Sequence, residues 1–159
     1  VLRFEWRFAL GAVAATLHDV VFTVGFFSLL HIEFDLNVLA AVLAVMGYSV
    51  NDTVVVFDRI REDFRKIRKG TPIDIMNTAI NETLSRTIMT SGVTLLVVIA
   101  LLLLGGPVLH GFSLALFVGI IVGTYSSIYI ASATALMLGV SKSDLMPTRK
   151  EGQPVDDLP

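Results

Sequence analysis

Residues 47–62 read GYSVNDTVVVFDRIRE, an apolar stretch that ends in a run of charged side chains. Asp52 lies within the apolar part, directly after Asn51. A carboxylate at membrane depth costs about 2.5–3.5 kcal/mol on insertion scales, so it is retained only for a partner or a function. Two questions follow: whether the surrounding sequence spans a membrane, and what Asp52 does there.

The composition is that of a membrane protein. Of the 159 residues, 54% are hydrophobic and 16% are charged, and the mean hydropathy is +0.76. Soluble domains average about 45–50% apolar and about 25% charged residues. The absence of cysteine excludes disulfide bonds, thiol nucleophiles and cysteine-ligated metals. The chain begins at Val1 without a signal-peptide cleavage site, and we expect it to be an internal part of a longer protein.

Four apolar segments are long enough to cross a bilayer, which takes about 20 residues in a helix. Because lipid cannot satisfy backbone amides, each segment is predicted to be helical. The predicted fold is an all-α bundle of four transmembrane helices within residues 1–140. The spans are 8–30, 36–57, 87–104 and 112–138, and they are joined by HIEFDL, by the polar segment 58–86 and by GGPVLHG.

The basic residues predict the orientation. All 12 Lys and Arg residues lie before the first span, between the second and third spans, or after the fourth, and the two other connectors contain none. Cytoplasmic segments of membrane proteins carry the excess of Lys and Arg. Both chain ends and the segment 58–86 are therefore predicted to be cytoplasmic.

The cytoplasmic segments have features of their own. Residues 58–69 carry apolar side chains at helical spacing among basic ones, which predicts either a continuation of the second helix or a short helix on anionic lipid headgroups. Beside four spans, this basic run favours a membrane surface over nucleic acid. Thr71, Pro72 and Asp74 form a helix start, and that helix is predicted to merge into the third span. The polar tail 141–159 is expected to be disordered.

Asp52 and Arg86 form the candidate functional pair. Asp52 lies near the inner end of the second span and Arg86 at the inner end of the third, so both approach the membrane at similar depth. Burial and a nearby arginine act in opposite directions on the proton affinity of a carboxylate. If the distance between the two groups changes between conformations, Asp52 can bind and release a proton. The alternative is a fixed ion pair that only sets helix register. Tyr48, Asn51 and Thr90 are the polar neighbours of the pair.

Other polar and small residues within the spans are open to two interpretations. His18 and Asp19 lie near the middle of the first span, where structural hydrogen bonding and a proton relay are equally consistent with the sequence. Gly119, Gly123 and Ser127 recur every four residues, a ladder of small side chains that lets a neighbouring helix approach closely. No phosphate-binding loop, zinc motif or nucleophile elbow occurs. We therefore expect no enzyme activity, catalytic residue, metal or cofactor.

The stretches VMGYSVNDTVVVFDRIRE, RTIMTSG, GGPVLHGFS and GTYSSIYIAS together resemble the SecF family of protein-export membrane proteins, as do LRFEWR before the first span and HD within it. That family belongs with SecD to a branch of the resistance-nodulation-division transporters. The resemblance covers nearly the whole chain. Members usually begin with one span and a periplasmic domain, which would precede Val1, so the four spans here correspond to the family's third to sixth.

The resemblance implies a function and partners. SecF proteins form a complex with SecD, associate with the SecYEG translocon in the bacterial inner membrane, and use proton flow to help move exported proteins outward. The family aspartate and arginine essential to proton use fall on Asp52 and Arg86, and a further aspartate is contributed by SecD. Unfolded exported polypeptide would be contacted through the periplasmic domain outside these residues, while the spans contact membrane lipids.

Two other functions are consistent with such a bundle. A passive scaffold that stabilises the translocon would not require Asp52 to bind protons. A proton-driven small-molecule antiporter, suggested by the wider superfamily, would require a substrate vestibule, and the connectors HIEFDL and GGPVLHG are too short to build one.

Overall fold

The computed structural model describes residues 2–67 and 70–139. It contains five helices in this part of the chain: α1 (Leu2–Leu29), α2 (Leu36–Lys66), α3 (Pro72–Leu104), α4 (Gly106–Ile128) and α5 (Ile130–Met137). Counting α4 and α5 together, four helices are long and apolar enough to span a membrane. The described residues include no strand, so the predicted all-α membrane bundle is confirmed. The predicted tail 141–159 lies outside the described residues.

The described residues at both ends of the segment between the second and third spans are helical, since α2 continues to Lys66 and α3 begins at Pro72. α2 has 31 residues, which corresponds to about 46 Å at ~1.5 Å per residue. A bilayer core is about 30 Å thick, so α2 continues past its span, and residues 58–66 extend beyond the apolar part. Of the two alternatives for this segment, the structure contains the continuation.

The start of α3 is stabilised by side-chain capping. Thr71 accepts a hydrogen bond from the backbone N–H of Asp74 at 3.2 Å, and the Asp74 carboxylate accepts one from the Thr71 backbone N–H at 2.9 Å. Pro72 occupies the first turn, where its missing N–H costs nothing. The predicted helix start is confirmed, and the helix runs without a break into the third span.

The connector between α3 and α4 is shorter than predicted. Gly105 alone separates the two helices, and α4 already begins at Gly106, followed by Pro107. The backbone of Gly106 has φ +72°, in the left-handed region that favours glycine, and this allows the chain to reverse direction. Proline is tolerated in the first turn of a helix, so residues 106–111, expected in a loop, lengthen the fourth span instead.

The helix α2 packs most closely against α4 through the ladder of small residues. Gly119 faces Val45, and Gly123 faces Ser49, whose Cβ lies 3.4 Å from the position a Gly123 side chain would occupy. Ser127 continues the same face and hydrogen-bonds to α2. Each turn of α4 therefore meets one turn of α2, and the two backbones lie too close for larger side chains.

Gly119→Ala is expected to destabilise the bundle. The added methyl group would come within 3.1 Å of the Val45 Cβ and closer still to both Val45 methyl groups. Valine is held to one preferred rotamer in a helix, so Val45 cannot turn away. Overpacking of this kind costs about 1–3 kcal/mol. Thermal unfolding of the purified protein in detergent measures the loss.

Gly25→Ala is the matched control, because nothing lies within 4 Å of the Cβ position of Gly25. Alanine favours helices over glycine by up to about 1 kcal/mol, so this variant should be neutral or slightly stabilised. Adding Val45→Ala to Gly119→Ala should restore part of the lost stability. Equal unfolding temperatures for the two glycine variants would contradict close α2–α4 packing at Gly119.

Candidate functional site

Asp52 lies where α2, α3 and α4 meet. Its side chain is buried, and one carboxylate oxygen accepts a hydrogen bond from the Ser127 hydroxyl at 2.5 Å. The other oxygen accepts one from the Thr87 hydroxyl at 3.2 Å. Ser49 and Val56, three residues before and four after Asp52, are also buried, so all three share the inner face of α2. Helical periodicity therefore turns this carboxylate into the bundle.

In the part of the chain that the structure describes, the carboxylate of Asp52 is held by hydroxyl groups alone. Within the described residues, no Lys, Arg or His forms an ion pair with it. A hydroxyl group can donate or accept, and the Ser127 hydroxyl also lies 3.0 Å from the backbone oxygen of Thr124. When Asp52 is ionised, Ser127 donates to it; when Asp52 is protonated, Ser127 can accept from it and donate to Thr124. The site therefore accommodates both protonation states.

Arg86 is at the depth of Asp52 but does not contact it. The adjacent residue, Thr87, takes the inward position on α3, whereas Arg86 is exposed on the surface of this chain. Thr90 is exposed as well, and its hydroxyl donates to the backbone oxygens of Arg86 at 3.1 Å and Thr87 at 3.0 Å. Successive residues on a helix point about 100° apart, so only one of Arg86 and Thr87 can face α2. The predicted pair shares a depth without forming an ion pair in this conformation.

A second polar connection joins the same three helices one turn away. The Tyr48 hydroxyl donates to Ser91 at 3.0 Å, and Ser91 shares a hydrogen bond of 2.7 Å with Thr124. Asn51, the neighbour of Asp52 in sequence, is exposed on the outer face of α2. Of the predicted polar neighbours, Tyr48 thus lies in the polar seam between the helices, and Asn51 does not.

Asp19 is a second buried carboxylate, located on α1. Its side chain is inaccessible to solvent, and one oxygen accepts a hydrogen bond of 2.5 Å from the Ser49 hydroxyl on α2. The other oxygen lies 3.2 Å from Nδ1 of the adjacent His18. The Cβ position of Gly123 is 3.6 Å from the Asp19 carboxylate, so the glycine leaves the room that this carboxylate occupies.

The sequence interpretation did not assign Ser49 and Thr87 to the site, and it gave Ser127 only a packing role. All three donate hydrogen bonds to buried carboxylates. The signal was present in the spacing, because Ser49 precedes Asp52 by three residues and Thr87 directly follows Arg86. The roles of these three residues depend on which face of each helix points into the bundle. Packing between the helices determines that face.

The groups gathered at this site are of kinds that can exchange protons. The inner face carries carboxylates and hydroxyls, and the described residues contain no group of three or more His, Asp or Glu side chains that could hold a metal ion. The groups that can exchange protons are the carboxylates of Asp52 and Asp19, the His18 ring and the hydroxyls that contact the two carboxylates.

A third buried carboxylate, Asp63, lies on the part of α2 beyond the apolar span. Burial raises the pKa of the Asp63 carboxyl, and the nearby charge of Glu82 raises it further. Arg59 opposes this shift from 3.7 Å, but its guanidinium is also hydrogen-bonded to Glu82 and Glu62. One oxygen of Asp63 has no hydrogen-bond partner. A cavity of about 410 Å³ lies in the same region, lined by Asp58, Arg61, Glu62, Arg65 and Lys66.

Comparison with known proteins places the whole described bundle in one family. Residues 1–141 match the family model of the C-terminal region of the protein export membrane proteins SecD and SecF. The chain belongs to the SecD/SecF family. The resemblance expected from the sequence is confirmed.

Members of the SecD/SecF family with this bundle are closely similar in sequence and structure. The chain is 61% identical to the protein translocase subunit SecF of Vibrio alginolyticus over 99% of its length, and 53% identical to that of Escherichia coli O157:H7 over 97%. It covers 51% and 48% of those proteins, so it spans about half the length of the curated relatives it matches. A crystal structure of SecDF in a super-membrane-facing form superposes with a TM-score of 0.83 at 50% identity, over 86% of this chain and 19% of that one. A SecDF structure from Thermus thermophilus gives 0.81 over the same shares.

Ser127→Ala is expected to destabilise this SecD/SecF-family bundle. The substitution removes the closest donor to Asp52 and leaves a buried carboxylate oxygen without it, which costs about 1–3 kcal/mol. Thermal unfolding in detergent measures the loss. Ser126→Ala is the control, because Ser126 is also buried but its hydroxyl donates only to the backbone oxygen of Gly123, at 3.4 Å. Equal losses for the two variants would show that the Asp52 contact contributes nothing to stability.

Asp63→Asn is expected to raise the free energy of unfolding near neutral pH. The pKa of Asp63 is higher in the folded state than its ordinary value of 3.8, so the folded protein binds this proton more tightly than the unfolded chain does. Ionisation therefore destabilises the fold above the folded-state pKa, and the amide removes that effect. Below pH 3.8 the acid is protonated in both states, and the gain should disappear.

Unfolding temperatures of the wild type and Asp63→Asn across this pH range test the linkage. Asp58→Asn, at an exposed position on the same helix, is the control and should differ less from the wild type. An Asp63→Asn variant that is less stable than the wild type near neutral pH would mean that attraction between Asp63 and Arg59 outweighs the burial of the charge.

Proposed function

We propose that this chain is the C-terminal membrane part of a SecF-type subunit that couples proton flow to the export of proteins across the bacterial inner membrane. Membership of the SecD/SecF family supports the export role. The observation that carries the proton-coupling role is the Asp52 carboxylate, buried between three helices and held by hydroxyls that suit either protonation state. The cycle is a conformational one, with no chemical conversion of a substrate.

The hydrogen bonds of Asp52 provide a route from proton binding to helix movement. Thr87 on α3 and Ser127 on α4 both donate to the ionised carboxylate. Protonation removes the charge and one of the two acceptor sites, so at least one contact must be exchanged or lost. A proton crossing the membrane releases about 2.3 kcal/mol per 100 mV. Because a bias of a few kcal/mol is enough to exchange two conformations of similar energy, one proton can shift α3 relative to α2.

Arg86 connects the movement of α3 to a partner outside this chain. An arginine exposed within a membrane helix is costly, and such residues pair with other polar groups. The Asp52–Thr87 hydrogen bond fixes the rotation of α3, and this rotation sets the direction in which Arg86 points. We propose that SecD packs against this face, because the solved structures similar to this chain are of SecDF and because the family resemblance implies an acidic partner residue on SecD.

The remaining partners and the location follow from the family and from the charges. The SecYEG translocon and the unfolded exported polypeptide would contact parts of the protein outside these residues, since the chain spans about half of its relatives. The basic residues of α2 beyond its span favour an orientation with both chain ends in the cytoplasm, next to anionic lipid headgroups.

Asp52→Asn in the intact SecD–SecF complex is expected to abolish the part of protein export that depends on the proton gradient. The amide keeps the shape of the side chain but cannot bind a proton. Export of a labelled preprotein into inverted membrane vesicles, with and without the gradient, measures this part. Glu33→Gln is the matched acid-to-amide control, because Glu33 is exposed in the short connector before α2, and it should leave export unchanged.

The same assay separates the proposal from its rivals. A passive scaffold predicts that Asp52→Asn behaves like Glu33→Gln, and that result would overturn proton coupling through Asp52. A small-molecule antiporter predicts proton-driven uptake of a solute without an effect on export. The connectors of residues 30–35 and Gly105 offer little material for a solute vestibule. We therefore expect Asp52→Asn to lose gradient-dependent export and expect no proton-driven solute uptake.

A further inference from the structure

The proton-coupling cycle proposed above uses Asp52 and leaves Asp19 without a role. Asp19 is fully buried near the middle of α1, yet its carboxylate has two hydrogen-bond contacts among the described side chains. One is the Ser49 hydroxyl on α2, and the other is the ring of His18. A carboxylate in an apolar interior is stable only if its charge is compensated or if it carries a proton. The neutral Ser49 hydroxyl cannot compensate the charge. The charge of this site therefore depends on which of Asp19 and His18 carries a proton.

The surroundings of Asp19 repeat those of Asp52 one helical turn away. In each case a serine donates a hydrogen bond of 2.5 Å to one carboxylate oxygen: Ser49 to Asp19, and Ser127 to Asp52. Ser49 and Asp52 are three residues apart on α2, which is about 4.5 Å along the helix axis. The two carboxylates therefore lie in successive layers of the same polar seam, and α2 contributes a residue to both.

We propose that Asp19 is a second proton-binding carboxylate of the bundle, with His18 as its proton-exchange partner and Ser49 as its link to the helix that carries Asp52. The proposal rests on the proposed proton-coupling function and extends it from one carboxylate to two.

The geometry defines where the proton moves. In the ionised pair, Nδ1 of the protonated His18 ring donates to the Asp19 carboxylate; transfer of that proton to the carboxylate oxygen leaves a neutral ring and a carboxylic acid. The His18 side chain is 35% exposed while that of Asp19 is fully buried, so the ring connects the buried acid to the outer surface of α1. Among the described residues, His18 is the one titratable group in contact with Asp19; α2 presents Ser49 to it and α4 presents Gly123.

Proton binding at Asp19 would be transmitted to α2. An ionised Asp19 accepts the hydrogen bond from Ser49, whereas a protonated one offers a competing donor to the same hydroxyl. Because Ser49 is one turn from Asp52 on a rigid helix, the two layers cannot rearrange independently. A purely structural Asp19 would instead hold Ser49 with an unchanged proton occupancy between about pH 5 and about pH 8.

Infrared difference spectroscopy of the intact SecD–SecF complex between about pH 5 and about pH 8, where imidazole changes its charge, tests the proposal directly. A buried carboxylic acid gives a carbonyl band that disappears when the acid ionises. We expect one such band to be lost selectively in Asp19→Asn and a different one in Asp52→Asn. Ser49→Ala keeps the Asp19 carboxyl group but removes its hydroxyl partner, so it should shift the Asp19 band and leave the Asp52 band in place.

The controls keep the outcome decisive even if Asp19→Asn folds poorly. Thr23→Val alters a buried residue one turn from Asp19, whose hydroxyl bonds only to the Asp19 backbone oxygen, at 2.8 Å, and it should change neither band. His18→Gln should retain the Asp19 band, because it keeps the carboxyl group and replaces only the ring beside it. A spectrum without any band sensitive to Ser49→Ala or Asp19→Asn would overturn the proposal.

Export measurements then separate this proposal from the function on which it rests. If both hold, Asp19→Asn also reduces gradient-dependent export, while Thr23→Val does not. A titrating Asp19 band together with unchanged export in Asp52→Asn would uphold the second proton site and reject proton-coupled export through Asp52. Loss of gradient-dependent export in Asp52→Asn without any Asp19 band would uphold proton-coupled export through Asp52 and reject the second proton site.

Discussion

The hydrogen bonds that buried carboxylates must find inside an apolar bundle are the constraint on which this structure depends. Asp19 and Asp52 are buried between helices, where lipid cannot donate hydrogen bonds to them, so donors come from other helices. Ser49 on α2 serves Asp19, whereas Thr87 on α3 and Ser127 on α4 serve Asp52. These contacts set the rotation and depth of each helix relative to α2. The small residues of α4 then become necessary, because a hydroxyl on a short side chain reaches α2 only when the backbones are close.

The arrangement makes α2 the element through which the other helices are connected. Tyr48 forms a hydrogen bond with α3, Ser49 with α1, and Asp52 with both α3 and α4. Apolar contacts between the helices are non-directional and tolerate small rotations. Hydrogen bonds tolerate them poorly, since they weaken steeply away from a linear geometry. A change in the protonation of either carboxylate therefore alters directional contacts first, while the apolar packing holds the bundle together.

The fold could be predicted from the sequence because lipid leaves few alternatives to a helix, and the Thr71–Pro72–Asp74 start was evident from local chemistry. The connector before α4 was predicted too long because Pro107 reads as a helix breaker, whereas in the first turn it favours the helix. At the site, the depth of each residue along its helix could be predicted from the sequence, but the rotation of each helix about its axis could not. Counting residues placed Arg86 level with Asp52, but the sequence could not decide between Arg86 and Thr87 for the inward position. That choice depends on how α3 packs, which involves residues far apart in the chain.

The inward position of Thr87 and the outward position of Arg86 connect the interior of the bundle to its surface. A direct Asp52–Arg86 ion pair would confine the response to the interior of this chain. With Thr87 inward and Arg86 outward, the two faces of α3 have different contacts. One face contacts the buried carboxylate of Asp52, and the other presents a guanidinium at the same depth. Because adjacent residues of a rigid helix move together, any rotation that exchanges the Thr87 hydrogen bond also redirects Arg86. α3 is also the least enclosed of the four spans within this chain. Its outer face is therefore accessible to a partner that packs against it, and such a partner would contact Arg86.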